Sequence, residues 1–220
     1  MMQEFVHETN KAIQEALKGV HTSMPGKIVS FDPSTGLATV LPTMKFRKPD
    51  GTTMEYPQIT GVPVMFPQSM NQQATIAYPI KPDDGCIILV AEQSIDYWMY
   101  GQETDTDLDF DLTNSICIPG LFVPANQVMK KACDENAIIA DLKGTFTKIR
   151  ESEIILDVKG TKITIKEGEV IIDAAKVTIN GNVQLNGQEV ATGDVKANTA
   201  ISLATHTHTG NLGTPTSPPL

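Results

Sequence analysis

The apolar rhythm of the chain changes twice. From Glu4 to Lys18 the period is helical: Phe5, Ala12, Ile13, Ala16 and Leu17 share one face, while Glu8, Lys11 and Lys18 lie off it. Gly19 is the expected stop. Such a helix either docks on a partner or packs on its own domain. From Pro25 to about Pro124 the signals become strands and turns. Gly26–Phe31 runs into the turn Asp32-Pro33-Ser34-Thr35-Gly36, and Leu37–Leu41 follows, which predicts a hairpin. Lys48-Pro49-Asp50-Gly51-Thr52 predicts a second tight turn. Val62–Pro67 and Ala74–Pro79 are predicted as short strands with edge prolines. Cys86–Val90 is an unbroken apolar run after the turn Asp83-Asp84-Gly85, and suits a strand buried on both faces. Roughly five or six short strands in ~100 residues imply a small closed or nearly closed barrel, with an oligonucleotide/oligosaccharide-binding (OB) barrel as the first choice of topology.

Beyond Ile149 the pattern is mainly β and repetitive. The predicted strands are Ile154–Val158, Lys162–Lys166, Val170–Asp173, Lys176–Asn180, Val183–Leu185 and Ala200–Leu203, with turns at Gly160, Gly168, Ala174-Ala175, Gly181, Gly187 and Gly193. Apolar and polar positions alternate within each strand, so one face is meant for burial. A single chain of this kind has a thin aliphatic stripe and nothing to cover it. Several copies winding round a common axis would solve this, each giving Ile, Val and Leu to a shared core. A single-chain sandwich or a left-handed parallel β-helix is the alternative, against which the short, irregular strands argue.

Composition sharpens the division. Of the 12 aromatic residues, only Phe146 lies beyond residue 140, and proline is absent from 125 through 214. Residues 1–140 hold 9 basic and 17 acidic side chains, a net of −8, against 8 and 9 in residues 141–220. The whole chain of 220 residues carries −9, which opposes electrostatic binding to nucleic acid or to anionic lipid. The apolar runs are too short for a transmembrane span or a signal-peptide core. Cys86, Cys117 and Cys133 lack CxxC spacing and read as small buried thiols. Glu103, Asp105, Asp107, Asp109 and Asp111 alternate as on an acidic strand edge. As a calcium loop that run fails, with Phe110 in the glycine place and Ile116 in the place of the bidentate glutamate.

The strongest chemical signal is Ala204-Thr205-His206-Thr207-His208-Thr209-Gly210, which holds two of the chain's 4 histidines. At i and i+2 of an extended strand both imidazoles point the same way. Three chains would supply six nitrogens, a shell suited to iron or another first-row divalent ion; two chains would supply four, suited to zinc. Only Thr209–Leu220 follow, a Gly/Pro/Ser/Thr-rich tail that could fold back over a tip.

These segments together resemble the central spike, or membrane-puncturing needle, of contractile-tailed phages and related particles of the Mu-like kind. The residues that carry the resemblance are Gly26–Asp32, Gly61–Val64, Pro79–Val90, Asp96-Tyr97-Trp98 with Gly101, Ala191–Val195 and Ile201–His208. The resemblance implies a homotrimer with an N-terminal OB barrel, a β-helical shaft and a pointed tip. It also implies one iron ion per trimer on the threefold axis, held by His206 and His208 of every chain. Members of that group also hold calcium and chloride in the shaft; no residue here fixes such sites. The expected division is an N-terminal helix at 1–22, an OB-fold barrel at 23–125, a connector at 126–145, a trimeric β-helix shaft at 146–203 and the apex at 204–220. The helix at 4–18 has no place in the common pattern.

The implied function is mechanical rather than enzymatic. Sheath contraction drives the spike, at the tip of the tail baseplate of the virion, through the host cell envelope. Its partners would be baseplate hub proteins and the envelope, not nucleic acid, and synthesis would be in the host cytoplasm. No nucleophile elbow, HExxH or phosphate loop is present. Two rivals remain: a receptor-binding tail fibre, which should end in an aromatic-rich head, and a spike-associated cell-wall hydrolase using a carboxylate pair.

Overall fold

A computed structural model describes residues 2–17, 19–48, 50–101, 108–197 and 201–217. The chain divides into two compact units, Met1–Cys133 and Asp134–Leu220.

In the first unit, helix α1 (Met2–Leu17) leads. Gly19 N–H bonds the Ala16 carbonyl at 3.2 Å, closing the last turn where the glycine was expected to stop the helix. Lys18, the predicted last residue, lies outside the described residues. No side chain of α1 is buried, so its stripe of Phe5, Ile13 and Leu17 faces solvent rather than its own domain.

Strands β1 (Ser23–Asp32) and β2 (Leu37–Pro42) form the predicted hairpin. Asp32 makes the turn: its Oδ1 accepts from Ser34 N–H at 2.9 Å and Ser34 O–H at 2.6 Å. These bonds hold the Asp32 carboxyl below the usual carboxylate range. The short pair β3 (Lys45–Arg47) and β4 (Thr53–Glu55) brackets the second predicted turn, where Asp50 Oδ1 accepts from Thr52 N–H at 2.8 Å. Pro49 lies outside the described residues.

Next come β5 (Ile59–Pro63), the two-residue strands β6 (Gln68–Ser69) and β7 (Ala74–Thr75), and β8 (Gly85–Val90). The strand expected over Ala74–Pro79 is shorter than read and stops after Thr75, with Ile76 N–H bonding the Pro67 carbonyl at 3.0 Å. Helix α2 (Asp96–Tyr100), a 3-10 turn at Leu112–Asn114 and β9 (Ser115–Pro119) complete the sheet.

The main sheet has the order β5-β2-β1-β8-β9. It curls as a half-barrel, and its two edges meet where Val64 bridges Cys117 in parallel and Met65 N–H bonds the Cys117 carbonyl at 2.8 Å. The core is Met24, Ile28, Ala38, Val40, Ile59, Val62, Cys86, Ile88 and Cys117. Ile59 and Val62 are three apart yet both face inward, because Gly61 at φ 71° inserts the extra residue between them. Each fully buried Ile or Val contributes about 1.5–3 kcal/mol of transfer free energy.

Two expectations are corrected here. β8 is buried on one face only: Cys86, Ile88 and Val90 point in, whereas Ile87 is 36% and Leu89 41% exposed. The antiparallel half-barrel covers one side of the strand and leaves the other in water. Of the three free thiols, Cys86 and Cys117 are buried and hydrogen-bonded to each other, but Cys133 is exposed on a helix that buries nothing. The Cys117 thiol is pushed up, first by that bond and then by burial.

The acidic run divides likewise. Glu103, Asp105 and Asp107 lie outside the described residues. Asp109 and Phe110 form a turn rather than a strand, with Phe110 at φ 54°. Asp111 caps the 3-10 turn, its Oδ1 accepting Thr113 N–H at 2.8 Å and Thr113 O–H at 2.7 Å.

Between these strands and the second sheet, helix α3 (Gln127–Asp134) starts at Asn126, whose Oδ1 accepts Met129 N–H at 2.8 Å. The second unit is an antiparallel meander of β10 (Ile138–Leu142), β11 (Thr145–Ile149), β12 (Glu153–Val158), β13 (Thr161–Lys166) and β14 (Glu169–Asp173). Residues 126–145, read as a connector, therefore hold α3 and β10. The predicted strands at 154–158, 162–166 and 170–173 are β12, β13 and β14 to within a residue. Lys176–Asn180 and Val183–Leu185 form no strand in the single chain, which offers them no pairing partner. Two-residue strands β15 (Lys196–Ala197) and β16 (Ile201–Ser202) pair near the end; Ala200, the start of the last predicted strand, lies outside the described residues.

The meander has two unlike faces. Register places Ile138, Ile149, Ile154, Ile165 and Val170 in one row across all five strands. Ala140, Thr147, Leu156, Ile163 and Ile172 form the next row on the same face. The opposite face is mixed: Ile139, Lys148, Ile155, Thr164 and Ile171 form its central row, flanked by Asp157, Lys162, Lys166 and Asp173. There Lys148, nearly buried, bonds Glu135 at 3.0 Å, and Arg150 bonds both Glu135 and Glu153. Lys148 first, then Arg150, holds the Glu135 carboxyl below its usual range. Lys148, Arg150, Glu135 and Glu153 are thus paired within the chain. The aliphatic face is uncovered: Ile138 is 72% and Val170 63% exposed.

Candidate functional site

The C-terminal apex is built on the β15–β16 pair, in which Lys196 faces Ser202. Leu203 N–H extends the ladder to the Val195 carbonyl at 2.8 Å. Residues 203–205 then turn, and the two histidines follow. His206 is half-buried and His208 exposed. They do not lie in a regular strand, yet they sit side by side. Their ring centroids are 5.1 Å apart, edge to face at 81°.

Each histidine is fixed by a different element. His206 N–H bonds the Ser202 carbonyl at 3.0 Å, and His206 Nδ1 lies 2.9 Å from the same oxygen. His208 belongs to the tail: its N–H donates to Thr216 Oγ1 at 2.9 Å, and its carbonyl accepts Thr216 N–H at 2.8 Å. Thr209 bridges Pro215, and Gly210 N–H bonds the Thr214 carbonyl at 2.8 Å. The residues after His208 therefore double back as a small hairpin against the histidine pair, with 218–220 outside the described residues.

A carbonyl can only accept, so the contact at Nδ1 places the hydrogen there and leaves Nε2 of His206 as the nitrogen with a free lone pair. That is the donor chemistry a borderline first-row cation takes. Among the described residues no group of three or more His, Cys, Asp or Glu side chains is placed to hold a metal. One chain thus offers two imidazoles, and a fuller shell needs other copies.

The sequence reading missed the repeat that shapes the unit bearing this apex. Ile138-Ile139-Ala140-Asp141-Leu142-Lys143-Gly144-Thr145 returns as Ile154-Ile155-Leu156-Asp157-Val158-Lys159-Gly160-Thr161. The two turns are alike: Asp141 Oδ1 accepts Gly144 N–H at 3.3 Å, Asp157 Oδ1 accepts Gly160 N–H at 3.1 Å, and Lys143 and Lys159 sit at φ 54° and 51°. Val170-Ile171-Ile172-Asp173 opens a third copy.

Comparison with known proteins gives one finding. Residues 24–120, the half-barrel sheet with its loops, match the family described as phage protein Gp138 N-terminal domain. The match covers less than half of the 220 residues. No curated protein matches the chain. The family match supports a phage structural protein, a component of the virion.

Proposed function

We propose that this protein is the central spike of a contractile-tail baseplate, a homotrimer that pierces the host cell envelope when the sheath contracts. The observation that carries the reading is the uncovered aliphatic face of the meander, with its row Ile138–Ile149–Ile154–Ile165–Val170. A face of that size is stable only against another apolar surface. Further copies of the same face would supply one.

Other features support the reading. The order β5-β2-β1-β8-β9 with a parallel contact between the edge strands is the pairing of an OB barrel, which suits the adaptor end of a spike. The phage family match falls on that segment. Each chain holds one histidine pair, so three copies would bring six imidazoles to the axis, the number an octahedral iron takes. Bound there, the ion would tie three chain ends together and resist fraying at the point that meets the envelope. His206 and His208 would hold it, one ion per trimer. The protein's partners are then baseplate hub proteins and the envelope, and its work needs no catalysis.

Light scattering joined to elemental analysis tests this on the full chain. The expected mass is three times 23.8 kDa, with one iron for three chains. A well-folded monomer sinks the spike reading. A trimer without metal removes the apical ion and leaves a plain fibre or stalk.

A further inference from the structure

The apex contains a chain of hydrogen bonds that ends on one histidine. Asp194 Oδ1 accepts the Ser202 hydroxyl at 2.7 Å and Ala204 N–H at 3.4 Å. Ser202 Oγ accepts Thr205 N–H at 3.0 Å. The Ser202 carbonyl takes both the backbone N–H of His206 at 3.0 Å and its Nδ1 at 2.9 Å. Ser202 therefore grips the turn by its hydroxyl and the imidazole by its carbonyl.

This grip exceeds what the local backbone needs. The β15–β16 ladder already pairs Lys196 with Ser202, and Leu203 N–H already bonds Val195. Asp194 adds a carboxylate to the one residue whose carbonyl holds the ring. His208, by contrast, is positioned through its backbone by Thr216, with no link to Asp194. The two histidines thus depend on different supports.

Resting on the apical-metal reading above, we propose that Asp194 and Ser202 are positioning residues for a first-row metal ligand: together they fix the 202–206 turn and present His206 with Nδ1 occupied and Nε2 free. Outer partners of this kind fix the tautomer and orientation of a ligating imidazole. Asp194 acts through Ser202 and touches no metal itself.

The test uses the full-length protein loaded with iron and challenged with a chelator, reading metal per chain over time by elemental analysis. Light scattering follows the oligomer in parallel. Asp194→Ala and Ser202→Ala should lose iron about 10–100-fold faster than wild type at unchanged mass. Ser202→Thr keeps the hydroxyl, Asp194→Asn keeps an acceptor oxygen, and both should stay near wild type. The cobalt(II)-loaded alanine variants should also show shifted d–d bands, which a merely structural role would not move. If both alanine variants hold metal like wild type while His206→Ala holds none, the relay is wrong and the apical site stands. If wild type itself takes up no metal, both ideas fall. Should Asp194→Ala fail to assemble, the rate for Ser202→Ala, which keeps every backbone group, decides.

Discussion

Gly85 has no room for a side chain. A Cβ built there would lie 1.8 Å from the Leu121 carbonyl oxygen, a backbone atom that cannot swing aside. The approach exists because Gly120 and Leu121 N–H both bond the Gly85 carbonyl, at 2.9 and 3.2 Å, tying the end of β9 to the start of β8. Gly85→Ala should therefore cost about 3 kcal/mol or more. Gly187→Ala, where nothing lies within 4 Å, should leave the melting temperature unchanged, and thermal denaturation of both full-length variants checks the pair. Asp111 acts by the opposite logic, through bonds to its charged form. The Thr113 hydroxyl, then Thr113 N–H, holds its pKa below the ordinary carboxylate value. The folded value is depressed, so the stabilisation is complete above the unfolded value of about 4 and fades as pH falls through the folded one. Asp111→Ala should cost about 0.5 kcal/mol at neutral pH, the low end for a cap because the carboxylate is open to water. The gap between variant and wild type should close in acid, as urea titrations at neutral pH and below pH 4 would show. Residue chemistry of this local kind was legible in the sequence. Asp32, Asp50 and Gly36 announced their turns because the bonds that make them span two to four residues. The close approach at Gly85 was not legible, since it joins segments about 35 residues apart.

At the scale of elements, the first unit was legible as strands and turns but not in which faces of them are covered. Cys86–Val90 reads as apolar on both sides, and its outer Ile87 and Leu89 are exposed because no layer packs there. Helix α3 was missed because it is only eight residues long: Val128, Met129, Ala132 and Cys133 do fall at helical spacing, and Asn126 caps it, but the stripe spans two turns and buries nothing. In the second unit, alternation gave β12–β14 correctly. The repeat around Asp141 and Asp157 would have added β10 and β11. The face intended for burial follows from the parity of the strands. Ile165 pairs with Ile154 and Val170 on the aliphatic side, and Lys166 pairs with Glu153 and Glu169 on the charged side. Ile165→Asp should then abolish the trimer, since each copy would bury an unpaired carboxylate at a cost of several kcal/mol. Lys166→Ala should assemble normally. Sedimentation or light scattering of the two variants separates them, and a trimer of Ile165→Asp would move the assembly face to the other side of the sheet.

For the whole molecule, the question is what each uncovered surface is for. The aliphatic rows of the second unit repeat across five strands and match themselves, which points to copies of the same chain. The stripe on α1 is different. It is one helix wide, it carries Glu4, Glu8 and Glu15 beside Lys11, and it belongs to the strongly acidic part of the chain. An acidic helix repels copies of itself and favours a partner with a basic or mixed surface. The sequence could not choose between a docking helix and a packed one, because an amphipathic stripe looks the same in both. The exposure of every α1 side chain favours docking. Deleting residues 1–20 should accordingly leave the trimer and its melting temperature unchanged, because α1 contributes no buried area to the first unit. The truncated protein should instead enter particles poorly when it replaces the full-length chain during phage assembly. Counting this chain in purified particles against a tail protein measures this directly. A truncated chain that melts several degrees lower would make α1 part of the fold, and one incorporated at wild-type level would remove its role in attachment.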